Sequence, residues 1–387
     1  MPHFSEVYDR IEFEPLLERA NQASARDVER IIKQGGAKTL FDFAALLSKS
    51  AESKLEEMCR LSQCITQRHF GKTMRMFAPL YLSNECVNIC KYCGFSRNND
   101  IPRITLSLDE VEKEAAILAK QGFRSILLVA GEHPKYVSNG YVREVVSLLS
   151  KTFPSIALEL GPLESESYEP LVEAGCEALI VYQETYHEET YRSLHIAGPK
   201  KHFHWRMDTP ERAYQAGFRR LGIGALFGLN DWRREALSVA AHTQHLLRYC
   251  WKAQLNVSLP RMRPAAGEFE QVEFLQDHNF VQLITALRLF APHAGITLST
   301  REPAALRNGL IPVGITTMSA GSSTEPGGYS SFDESSFTPT KEQLGEQFHI
   351  ADERPPSEVA ATLSQLGYEP VWKDFDQSLI GAQTTLS

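Results

Sequence analysis

The stretch FAPLYLSNECVNICKYCGFSRNN, residues 77–99, decides how the rest of the chain reads. It opens in an apolar run that belongs to a strand over 76–82. It then breaks into a polar loop carrying Cys86, Cys90 and Cys93 at C-x3-C-x2-C spacing. Further short apolar runs read as strands near 124–130, 156–160, 177–182, 219–224, 255–259, 295–299 and 314–318. Helical patterns fill most of the gaps. The clearest spans 108–121, where Ser107 and Glu110 have capping-box spacing and Gly122 follows as a stop. Another spans 209–216, with Asp208 as its cap and Gly217 as its stop. Strands alternating with helices argue for a parallel sheet, and eight such units for an α/β fold of the closed (β/α)8, TIM-barrel type. The cysteine loop then stands at the carboxyl end of the first strand, the face on which such barrels carry their active sites.

Outside this series the pattern changes. Residues 1–72 read as a helical extension, with Leu55, Met58, Cys59 and Ile65 at near-helical spacing behind the apolar group Phe41, Phe43, Leu46 and Leu47. Gly35, Gly36 and Gly71 supply helix stops. The barrel is assigned to 73–319, and 320–387 to a C-terminal loop and helical tail. That tail opens with GSSTEPGGYSSFDESSFTPT, a long loop or linker, and holds a helical pattern at 357–366 stopped by Gly367. The loop is expected to serve either as a lid on the barrel or as a partner contact.

Composition narrows the class. With 387 residues, 43% hydrophobic, 23% charged and 10% aromatic, the chain is of ordinary globular make-up, which excludes disordered, collagen-like and disulfide-scaffold classes. A formal net charge of -8 leaves no cationic excess for a phosphate backbone, so no nucleic acid partner is expected. Seven cysteines are too few for a stapled secreted domain and fit a reducing compartment. The first twenty residues lack the apolar core of a secretory signal, and no run approaches the ~20 apolar residues of a membrane helix. The expected place is cytoplasmic, with no membrane partner.

Three thiolates this close can hold three corners of a cubane iron-sulfur cluster and leave its fourth iron open. An open metal position is what a catalytic centre keeps. A structural zinc would need a fourth ligand and more usually shows paired C-x2-C spacings, and an electron carrier would close its cluster with a fourth cysteine.

With Tyr92 before the last cysteine and a βα series behind it, the motif resembles that of the radical S-adenosylmethionine enzymes. ALELGPL (157–163), GIGALFGLNDWR (222–233), STREP (299–303) and SAGSSTEPGGY (319–329) narrow the resemblance to the aromatic amino acid lyase branch, most closely the tyrosine lyases of thiazole biosynthesis, over roughly residues 70–375. The resemblance implies a 4Fe-4S cluster on Cys86, Cys90 and Cys93, with S-adenosyl-L-methionine chelating the open iron. It implies cleavage of L-tyrosine between Cα and Cβ to 2-iminoacetate (dehydroglycine) and p-cresol, with 5'-deoxyadenosine and methionine formed. It also implies a flavodoxin or ferredoxin as electron donor, and a complex with the thiazole synthase that consumes the imine. Two neighbours on the same chassis stay open: a tryptophan lyase, and the hydrogenase-maturation tyrosine lyase, whose second cluster sits on a C-terminal cysteine domain. Here the last cysteine is Cys250.

Site residues follow from the same resemblance. Ala130, Gly131 and Glu132 match the GGE motif that takes the cofactor amino group, with Ala130 departing from its first glycine. Glu159 is matched to a ribose hydroxyl, or is a structural ion-pair member. Arg206, in HWRMD, is matched to the cofactor carboxylate, or is a solvated arginine at a helix terminus. Gly222, Ile223, Gly224 and Leu226 let adenosine approach the fifth strand, or simply pack it. Ser299 and Arg301 match a substrate carboxylate clamp, which suits a guanidinium fork beside a hydroxyl donor. Tyr81 lines the pocket or belongs to the core. Cys59, Cys64, Cys176 and Cys250 read as buried small hydrophobes, and His202 and His204 as surface residues.

Overall fold

In a computed structural model, which describes residues 2–267, 269, 273–331 and 345–373, eight parallel strands close on themselves. They are β1 (Thr73–Ser83), β2 (Ser125–Ala130), β3 (Ser155–Glu159), β4 (Ala178–Ile180), β5 (Arg220–Gly224), β6 (Gln254–Ser258), β7 (Gly295–Leu298) and β8 (Thr317–Ser319). Closure is made by β8 on β1, in the register Arg75↔Thr317 and Met76↔Met318. All eight lie where the apolar runs stand. β4 is shorter than its run, although Val181 and Gln183 beyond it still donate N–H groups to Gly222 and Gly224 of β5. The barrel is the expected (β/α)8 type.

Local signals set the helices around it. Ser107 and Glu110 form the capping box of the helix Leu108–Lys120, and Gly122, at φ 100°, turns the chain back toward β2. The helix Thr209–Gln215 forms too, but Asp208 does not cap it with its side chain. Its carboxylate accepts instead from the N–H (2.8 Å) and hydroxyl (2.6 Å) of Ser5, tying the N-terminal segment to the barrel. Ahead of β1, helices from Phe4 to Phe70 bury Phe4, Phe43 and Met58. The last of them, Leu55–Phe70, packs on the helix Asp277–Phe290.

Polar groups plug the amino-terminal end of the barrel: Ser155 donates to Glu177 Oε1 (2.6 Å), which also pairs with Arg220. The carboxyl end is left to the loops. There Tyr329 and Ser330 donate backbone N–H groups to Glu114 (2.9 and 2.7 Å), and Tyr329 donates its hydroxyl to Pro79 O (2.6 Å). Residues 332–340 of the Gly/Ser/Pro stretch lie outside the described residues. The chain then crosses the barrel mouth over 345–352, forms the helix Pro356–Gln365, and adds a short strand β9 (Glu369–Val371) parallel to the start of β1. Among the described residues no helix is long and apolar enough to cross a membrane.

Candidate active site

β1 ends in a register shift between Tyr81 and Ser83, and the cysteine loop starts from it. The loop has little regular structure, so its carbonyls need partners. Arg103 supplies them, donating to the backbone oxygens of Asn84 (2.7 Å), Phe95 (3.0 Å), Ser96 (2.7 Å) and Asn99 (3.1 Å). A two-stranded antiparallel ladder of Ile89–Cys90 with His195–Ala197 fixes the middle of the loop. Cys86, Cys90 and Cys93 are free thiols, and their sulfurs do not converge as closely as the ligands of one ion would. Burial pushes the Cys90 thiol up to about 12 and raises that of Cys93, with Lys200 pulling both the other way. Thiols in such a setting ionise on binding metal. Three thiols on a pinned loop, spread rather than converging, fit a cluster that takes one ligand per iron and leaves one iron open.

Beside the loop sits a largely buried charge cluster of which the sequence reading named only Arg206. Glu184, just past β4, holds the left-handed φ of 71°, uncommon for a non-glycine residue. Lys200 Nζ donates to its Oε1 (2.7 Å), and Arg206 Nη2 lies 3.8 Å from the same oxygen. Burial pushes the Glu184 carboxyl up, but the two cations outweigh it and hold it below the usual range. Glu235 shapes this turn by accepting from the Thr185 hydroxyl and the Tyr186 N–H. His195 joins the Tyr92 hydroxyl at 2.8 Å, and burial followed by the nearby Lys200 takes its pKa down to about 3, so it stays neutral.

Two acids face this region. Gly131 lets the end of β2 press on the cysteine loop, where a Cβ would run into Glu85 O. Glu132 lies over Gly161, and its Oε2 accepts from Asn88 Nδ2 at 2.7 Å. Glu159 ends β3 with no side-chain hydrogen bond among the described residues. Burial, then the like charge of Glu184, pushes its carboxyl up to about 7.

A cavity opens at this end of the barrel, lined by Tyr81, Glu159, Tyr182, Ser299, Arg301 and Phe348 among others. The Arg301 guanidinium meets no carboxylate among the described residues and lies 3.3 Å from the Phe348 ring centroid. Ser299 Oγ accepts the Arg301 N–H at 3.4 Å, leaving its own proton to donate. Tyr81 donates to Gln347 Oε1 at 2.8 Å. The crossing segment is sewn down on three sides: Gly94 N–H to Gln347 O (3.1 Å), His349 N–H to Pro264 O (2.9 Å), and Ala351 N–H to Thr300 O (2.9 Å).

Tyr81, Glu159, Ser299 and Arg301 are thus brought together around one cavity. Cys86 and Glu132 meet through Asn88. Arg206 is 8% exposed, not solvated, and donates Nε to Tyr182 O at 2.7 Å. Gly222 and Gly224 face Ile180 and Ser258, where a Cβ would collide, so both glycines already serve strand packing. Cys176 and Cys250 are buried as expected, but Cys64 is exposed on its helix and Cys59 is intermediate. His202 and His204 are exposed. An acid just past a barrel strand could have flagged Glu184. Nothing local marks Lys200, Gln347 or Phe348, whose partners lie far along the chain.

Comparison with known proteins agrees with this geometry. Residues 80–239 match the model of the radical SAM superfamily, and residues 258–369 that of the biotin and thiamin synthesis associated domain. The chain is 40% identical to the 2-iminoacetate synthase of Escherichia coli (strain K12), over 98% of each chain. It is 39% identical to that of Salmonella typhimurium (strain LT2), over 100% of each. The crystal structure of HydG, a maturase of the FeFe-hydrogenase, superposes with a TM-score of 0.87 at 30% identity, covering 95% of this chain and 81% of that one. Full-length similarity at this level, on a barrel whose first loop carries the three-cysteine motif, makes the chain a member of the 2-iminoacetate synthase family of radical S-adenosylmethionine enzymes.

Proposed function

We propose that the chain cleaves L-tyrosine between Cα and Cβ to 2-iminoacetate and p-cresol, in the cytosol, as the step that supplies an imine for thiazole formation. Cys86, Cys90 and Cys93 would hold a 4Fe-4S cluster, with S-adenosyl-L-methionine at its open iron. Bound together, the two would supply a 5'-deoxyadenosyl radical able to take hydrogen from the substrate amine, at the expense of one electron delivered to the cluster and with methionine as the other product.

The chain's own residues bind and orient. Arg301 offers its fork to the tyrosine carboxylate, Ser299 adds a hydroxyl donor, and Phe348 keeps the guanidinium plane from turning. Tyr81 walls the same pocket. Glu132 takes the amino group of the cofactor, Glu159 a ribose hydroxyl, and Arg206 balances charge near the cofactor carboxylate, while the β5 backbone at Gly222 and Gly224 passes beside the adenosine. Residues 1–72, 73–319 and 320–387 are treated as extension, barrel and tail, with the crossing segment of the tail excluding water from the mouth. A flavodoxin or ferredoxin would deliver the electron, and a complex with thiazole synthase would receive the imine.

The observation that carries this reading is the half-buried Arg301 guanidinium without a carboxylate in contact among the described residues, set in a cavity beside the cysteine loop. Arg301→Ala tests it. Losing a charge-assisted bidentate contact at a buried site costs about 2–5 kcal/mol, so tyrosine-dependent p-cresol should vanish while tyrosine-independent cleavage of S-adenosyl-L-methionine persists. Unchanged tyrosine affinity with collapsed cofactor binding would remove Arg301 from the substrate site.

A further inference from the structure

We infer that Asn88 is a positioning residue that couples the cluster-bearing loop to the acid meeting the cofactor amino group, an inference resting on the function proposed above. Asn88 lies between the first two cysteines of the motif and is 2% exposed. Both ends of its carboxamide are used. Nδ2 donates to Glu132 Oε2 at 2.7 Å and to Cys86 Sγ at 3.6 Å, and Oδ1 accepts the Lys200 N–H at 3.0 Å. This pattern admits one orientation of the amide, because turning it over would set an oxygen against a carboxylate and a thiolate.

Three parts of the site therefore hang on one side chain. Gly198, at φ 90°, passes so close that a Cβ there would run into Asn88 Oδ1, which is how the loop bearing Lys200 comes within reach. Lys200 in turn pairs with Glu184 and lies over the Tyr92 ring. Two consequences follow. An N–H aimed at a ligating sulfur favours the more negative, reduced state of a cluster and so raises its potential. An N–H held on Glu132 leaves that carboxylate one orientation in which to meet an amino group, so less order has to be gained on binding.

The test uses reconstituted, cluster-loaded protein with matched iron content. Asn88→Ala should bind S-adenosyl-L-methionine at least tenfold more weakly, and its cluster should titrate at a lower midpoint potential by EPR. The perturbation of the EPR signal on cofactor addition should shrink. Glu132→Gln should weaken binding while leaving the potential nearer the wild-type value. Combining Asn88→Ala with Glu132→Gln should cost little more affinity than Glu132→Gln alone, because the two act as one unit. Should Asn88→Ala lose iron, Asn88→Asp has the same size and carries the same test, with both shifts in the same direction and larger. Unchanged affinity and potential in a loaded variant, or additive losses in the double variant, would overturn the role of Asn88. Wild-type protein that takes up neither iron nor cofactor would instead overturn the function on which that role rests.

Discussion

Phe348 lays its ring on the Arg301 guanidinium, 3.3 Å from carbon to ring centroid, and so links the segment crossing the barrel mouth to the end of β7. Such a contact is worth about 0.5–2 kcal/mol. Phe348→Ala should therefore lower kcat/KM for tyrosine roughly 2- to 30-fold and release more 5'-deoxyadenosine per p-cresol, whereas Phe348→Tyr should stay near wild type. Equal coupling in all three proteins would show that the ring does not organise the clamp.

Iron content separates the cysteines. Replacing Cys86, Cys90 or Cys93 with Ala should abolish binding of the four-iron cluster and all formation of 5'-deoxyadenosine. Cys64→Ala, at an exposed thiol, should keep both. A Cys90→Ala protein that retained cluster and activity would break the assignment.

Glu159 gives a pH dependence with a definite sign. Its carboxyl is raised to about 7 in the folded chain, against about 4.3 when unfolded. Between those values the folded state holds a proton that the unfolded state has lost, so stability falls as pH rises and the penalty is complete above the folded pKa. In cluster-free protein, Glu159→Gln should raise Tm by about 1–3 °C at pH 8 and change it little at pH 4. A gain at pH 4 that disappears at pH 8 would contradict the burial of an unpaired acid at this position.

Much of this was legible in the sequence. Each barrel strand is a short aliphatic run bounded by helical periodicity or glycine, and the chemistry-bearing motif is contiguous, so both signals are local. The parts that escaped depend on chain return. Tyr81 meets Gln347 across 266 positions, and Lys200 reaches Asn88 across 112. Polar residues in irregular loops carry no period that would announce such pairings. The Asp208 cap failed for the same reason: Ser5, 203 positions away, outcompeted the adjacent backbone for its carboxylate. Glycine readings were ambiguous because close packing and ligand approach demand the same missing side chain.

The proposed association with thiazole synthase would spare the product imine from hydrolysis in water. The intact chain should co-purify with thiazole synthase at micromolar concentrations. A cut after Tyr329 would strand Arg307, whose fully buried partner is Asp352, and removing one side of such a pair typically costs about 3–5 kcal/mol. A cut after Lys373 spares that pair and should leave tyrosine cleavage intact. Lost association in that shorter chain would assign the contact to the tail, and no association of the intact chain would remove the partner.

Product analysis after anaerobic incubation of the cluster-loaded protein with reductant, S-adenosyl-L-methionine and either tyrosine or tryptophan reaches the proposed function most directly. With tyrosine, p-cresol and glyoxylate, the hydrolysis product of 2-iminoacetate, should appear in equal amounts and in step with 5'-deoxyadenosine, while tryptophan should give no products above background. Turnover of tryptophan with no p-cresol from tyrosine would contradict it.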